Sequence, residues 1–139
     1  MKSLSVMLGL IFIGLAIFSY AEVWGVDWKL YYFHKNFTAY YDAQGITRPS
    51  KNIVRVWTRK DFSEKGVLDV VRELGKEYEN FSHIESLMEI NCFGKKSHSL
   101  SANHYDNKGR TIFYDSSPTE WYFIVPDSVA ERLYEEVCE

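Results

Sequence analysis

The sequence predicts an α+β domain: a single, largely antiparallel sheet of about six strands packed by a C-terminal helix, with a second helix in the middle of the chain. Three observations predict this. Most of the chain alternates at strand period, as in residues 52–58 (NIVRVWT), where Val54 and Val56 make one face and Ile53, Arg55 and Trp57 the other. Two stretches, one central and one terminal, change to a period of three and four. The links between most neighbouring strands are too short for a parallel crossover, which needs about a dozen residues or more.

The chain opens with Met1-Lys2, a nearly uncharged apolar run over 4–18, and Ser19-Tyr20-Ala21. A basic start, a short apolar core and small residues before the cut describe a secretory signal peptide, 1–21, cleaved after Ala21. A membrane anchor is the alternative, but the run is short for the ~20 apolar residues of a spanning helix. The cleavage site carries no cysteine, so a lipid anchor is not supported. No second run of spanning length follows. Residues 22–139 then form one exported domain, placed in the periplasm, at the cell surface or outside the cell.

Within it, residues 24–33 (WGVDWKLYYF) read as a strand, 34–36 as a turn and 37–42 (FTAYYD) as the returning strand. Pro49 keeps 46–51 from being a central strand. Arg55, set between large apolar residues in 52–58, suggests a face that is only partly covered. From 67 to 78 the stripe Val67, Val70, Val71, Leu74 and Tyr78 predicts a helix, weakened locally by Gly66 and Gly75. Residues 83–92 return to strand period. A hairpin then joins 97–106 to 110–115 across Asp106-Asn107-Lys108-Gly109. Residues 121–125 (WYFIV) read as a strand covered on both faces, stopped by Pro126. Ser128 with Glu131 fits a capping box, and Val129, Leu133 and Val137 make the apolar stripe of the last helix. That helix ends in Glu135 and Glu136, against its dipole, so packing must hold it.

The formal net charge is −3, with basic residues scattered, which argues against a nucleic-acid partner. The two cysteines, Cys92 and Cys138, read in an exported chain as one disulfide closing a loop of 47 residues counting both. Such a bridge contributes roughly 4 kcal/mol in the chain-entropy picture. A redox or metal-binding thiol pair is the other reading, but neither cysteine has neighbouring ligands at metal spacing.

No catalytic residues, metal site or cofactor are predicted. His34, His83, His98 and His104 form no HxxxH or HExxH pattern, and no GxSxG occurs. His98 and His104 share strand parity and so would project from one face, ~20 Å apart. An enzyme reading would require a histidine paired with a buried carboxylate. Asp27 and Asp42 could meet across the first hairpin, though surface solvation is the default for such carboxylates. Asn36-Phe37-Thr38 and Asn80-Phe81-Ser82 match the glycosylation pattern, which matters only in a eukaryotic secretory pathway.

The chain is richer in aromatic residues than one buried sheet face requires. Tyr31, Tyr40, Arg55 and Trp57 form the candidate binding surface, suited to a protein partner. The alternative is a small apolar ligand held in an aromatic-lined pocket between sheet and helix. An exposed sheet edge could also pair two copies of the chain.

Trp28, Tyr40-Tyr41-Asp42, the strand ending Val54-Arg55-Val56-Trp57, Glu89-Ile90-Asn91-Cys92, Gly109, the block 121–128 and Val137-Cys138 together resemble the surface-adhesin protein E family of Gram-negative bacteria. The resemblance covers nearly all of the mature chain and is most specific from Glu89 onward. It implies an antiparallel sheet backed by a C-terminal helix and stapled by Cys92–Cys138. It also implies an outer-membrane-associated adhesin that binds host matrix proteins. This chain departs from the lipid-anchored founding adhesin in lacking the anchoring cysteine.

Overall fold

Eight strands form one antiparallel sheet in the computed structural model, which describes residues 25–138. The expected signal peptide lies outside the described residues. The strands are β1 (Trp28–His34), β2 (Phe37–Asp42), β3 (Thr47–Ser50), β4 (Ile53–Phe62), β5 (Phe81–Asn91), β6 (Lys96–Asp106), β7 (Thr111–Asp115) and β8 (Tyr122–Phe123). Their main order is β1-β2-β4-β5-β6-β7, with β3 against β4 and β8 against β6. Pairing shows how the edges are made. β2 takes the second half of β4 and β3 the first half, while β7 takes the end of β6 and β8 its start. Pro49 sits in β3, where the neighbouring side is unpaired and a missing N–H costs little.

Register divides the side chains between two faces. Cross-strand partners share a face, so Val54 with Ile90 and Val56 with Met88 build the apolar one. Tyr41, Val54, Val56 and Ile90 there pack against Leu133 and Val137 of α2 (Val129–Val137). Burying each such side chain is worth about 1.5–3 kcal/mol. The Cys92–Cys138 disulfide ties the end of α2 to the end of β5, and the Tyr134 hydroxyl donates to the Cys92 carbonyl at 3.2 Å.

The ends of α2 follow local chemistry. Asp127 takes a left-handed turn with φ 62° after Pro126. The Ser128 hydroxyl accepts from the Glu131 amide at 3.2 Å, one half of the expected capping box. At the other end, Arg48 of β3 donates to the Val137 carbonyl at 3.3 Å. A cation from the sheet thus stands where the helix's own last turn carries glutamates.

The central helix differs from its expected span. α1 runs Glu64–Leu74, and Lys76–Tyr78 forms a separate 3₁₀ turn. It begins earlier because Ser63 caps it, accepting from the Gly66 amide at 3.2 Å. It stops at Gly75, whose φ of 107° suits only glycine comfortably. The helix is stitched to the β1–β2 turn: the Ser63 amide donates to the Asn36 carbonyl at 2.9 Å and Asn36 Nδ2 to Asp69 at 3.1 Å. Crevices beside α1 are lined by Phe37, Phe62 and Phe81, which belong to the apolar side of the sheet. Both helices therefore lie toward the same face.

Two further expectations are corrected. Residues 121–125 are not a fully covered strand; only Tyr122 and Phe123 pair, at an edge, and Phe123 is 74% exposed. His98 and His104 do not share a face. β6 carries an extra residue, Leu100, between the Ser99–Met88 and Ser101–Leu87 pairs, and this bulge inverts the parity beyond it.

Candidate functional site

The face of the sheet that lacks a helix is built in cross-strand rows. Arg55, Glu89 and His98 make one row; Trp57, Leu87 and Ser101 the next; Arg59, Glu85 and Asn103 the third. Each row places one residue from β4, β5 and β6 side by side, with the extra residue at Leu100 falling between the first row and the second.

The first row is the most ordered. Glu89 is 9% exposed and fully engaged: Arg55 donates from Nε at 3.1 Å and from Nη2 at 2.9 Å, and His98 Nε2 lies 2.8 Å from the other carboxylate oxygen. Burial acts to raise the Glu89 carboxyl, but the hydrogen bonds from His98 and Arg55 and the arginine charge outweigh it. The group is held below the ordinary glutamate value. Trp121 stacks on the His98 ring with centroids 3.8 Å apart, while His98 Nδ1 lies 3.1 Å from the Thr119 carbonyl.

Here is the histidine–carboxylate pair that an enzyme would need. Its setting is structural: both ring nitrogens face acceptors already in place, the ring is roofed by Trp121, and Arg55 occupies the second carboxylate oxygen. The pairing was countable in the sequence. A turn over 92–95 matches Asn91 with Lys96, which sets Glu89 opposite His98.

Beyond it, Arg59 bridges Asp61 at 2.6 Å and approaches Glu85 at 3.7 Å, and His83 stacks on Tyr105 at 4.8 Å. Burial foremost, and then the nearby Arg59 charge, lower the His83 pKa. Asp42 and Asp27 do not meet as a carboxylate pair; Asp42 accepts from the Asp27 and Gln44 amides and so shapes the turn.

Of the predicted surface residues, Tyr40, Arg55 and Trp57 lie on this open face, Tyr40 paired with Arg59 in register. Tyr31 lies on the opposite one, against Tyr41 with ring centroids 6.1 Å apart, because its neighbour Leu30 pairs with Tyr40 and successive residues alternate; the bulge between Leu30 and Tyr32 then keeps Tyr32 on the covered face too and returns Phe33 to the open one. Trp57 is 40% exposed and Phe33 73%. Leu30 and Phe33, partners of Tyr40 and Thr38, extend the apolar part of the open face, and Phe123, with Lys96 Nζ over its ring at 4.6 Å, ends it. Sequence reasoning missed Phe123 because it placed that residue inside a covered strand. Among the described residues, no three of His, Cys, Asp and Glu gather to hold a metal ion.

These features define a class: a one-sheet α+β domain whose C-terminal helix is fastened by a disulfide to one face, leaving the other face open and aromatic. More narrowly, the chain belongs to the surface-adhesin protein E family, whose family model matches residues 28–139. A solved relative in fold is Protein E from non-typeable Haemophilus influenzae, at 16% identity and a TM-score of 0.50 over 85% of this chain and 80% of that one. No curated protein sequence matches it. The family is one of surface adhesins, not enzymes, and membership implies an exported or surface-exposed protein. Among the described residues, no helix is long and apolar enough to cross a membrane.

Proposed function

We propose that the chain is an exported, non-enzymatic binding domain that contacts host or envelope proteins through the open sheet face. The observation that carries this is the exposure of Trp57, Leu30 and Phe33 on a face no helix covers, beside Arg55 and Tyr40. Aromatic residues and arginine dominate the centres of protein interfaces. The pairing of Arg55 with Glu89 holds the guanidinium in place, so little side-chain entropy is lost on contact. Cleavage after Ala21 would release this domain without a span. The exposed Phe113 and Tyr114 of the β7 edge offer a place for a second copy to pair.

The test is binding of the mature domain to a panel of immobilised host matrix proteins. The double variant Trp57→Ala, Tyr40→Ala is expected to weaken the captured interaction roughly tenfold or more at unchanged melting temperature. Leu68→Ala, on α1, is expected to leave it intact. Equal binding by parent and double variant would place the contact elsewhere.

A further inference from the structure

The helix-covered face is not filled along its whole length. Between α2 and the aromatic group at the far end lies a part-open groove of about 540 Å³. That size falls in the range of small-molecule sites, ~300–1,000 Å³. Its floor spans four cross-strand rows, from Lys60–Ile84–His104 through Thr58–Ser86–Ala102 to the rows of Met88 and Ile90. At ~3.3 Å per residue this is a track of ~20 Å. Leu133 and Val129 of α2 wall the end opposite Lys60.

The track is mostly apolar, with the small hydroxyls of Thr58, Ser86, Ser97 and Ser128 along it and a cation at the end away from α2. There Lys60 is half-buried, its ammonium 5.1 Å from the centre of the Phe37 ring. No carboxylate among the described residues pairs with it. Desolvation by burial lowers the Lys60 pKa. A half-buried cation without a counter-ion carries a desolvation cost that an anion would offset. The neighbouring polar groups do not quench it: Thr58 donates to the Ser86 carbonyl, and His104 Nδ1 is engaged by the Tyr78 hydroxyl.

We propose that this groove binds a singly charged amphiphile, an aliphatic carboxylate, with its head group at Lys60 and its chain laid along Ile84, Ala102, Met88 and Ile90 toward Leu133. The carboxylate supplies the missing counter-ion, and the chain covers apolar floor that α2 is too short to reach. This site lies on the opposite face from the proposed protein-contacting surface and stands independently of it.

The experiment is titration of the mature domain with dodecanoate and with dodecanol, followed by calorimetry and by the shift in melting temperature. The parent is expected to bind dodecanoate more tightly than dodecanol by roughly tenfold. Lys60→Met should remove that difference, lowering dodecanoate affinity to the level of the alcohol while dodecanol binding persists. Lys60→Arg should restore the preference. Absence of saturable dodecanoate binding by the parent would overturn the proposal, as would equal affinity for acid and alcohol. Undiminished dodecanoate binding by a folded Lys60→Met protein would also overturn it.

Discussion

Glu89 shows how one residue can set the stability of a whole face. It is buried, yet it accepts from two side chains, so its carboxylate form is favoured in the folded state. Its folded pKa lies below the ordinary value of 4.5. The stabilisation is therefore complete above that value and is lost as pH falls through the lower folded-state value, because the unfolded chain then holds the proton more readily. Glu89→Gln is expected to lower stability by about 1–3 kcal/mol at neutral pH. It should also flatten the loss of stability on acidification. Urea denaturation at a series of pH values measures both; an unchanged acid limb would show that other carboxylates carry it.

Among the elements, α1 depends on a glycine. Gly66 lies inside the helix, where glycine is a poor former, because the helix backbone presses directly on the β1–β2 turn. A Cβ there would run into the backbone carbonyl of Asn36. Backbone cannot swing aside as a side chain can, so Gly66→Ala is expected to cost about 1–3 kcal/mol despite its better helix propensity. A denaturation midpoint equal to the parent's would mean that the helix sits further from the turn. Gly75 acts differently, ending the helix through its left-handed backbone rather than through close approach. In sequence the two glycines look alike, as interruptions of one apolar stripe.

For the whole molecule, the disulfide decides how α2 stays on the sheet. That helix has nine residues, too few to persist alone. Leu133 and Val137 bury it, Arg48 caps it and the Cys92–Cys138 bridge prevents its release. Cys92→Ser is expected to lower unfolding free energy by about 2–4 kcal/mol with near-native circular dichroism. Equal stability of variant and parent would assign the helix's retention to packing alone.

What the sequence determined by itself was everything that depends on local period and on residues close in the chain. Strand alternation, the cap at Ser128, the antiparallel hairpins and the pairing of the only two cysteines are all of this kind. Tertiary structure decided whatever depends on register between distant strands. A single extra residue at Leu100 moved His104 to the face opposite His98, and a bulge in β1 put Tyr32 beside Tyr31 on the covered face and Phe33 with Leu30 on the open one. The sheet repeats every two residues, so one inserted residue reverses every side chain beyond it. Which aromatic residues are buried, which are offered to a partner, and which cation is left without a counter-ion were settled there, because each follows from the face and not from the residue.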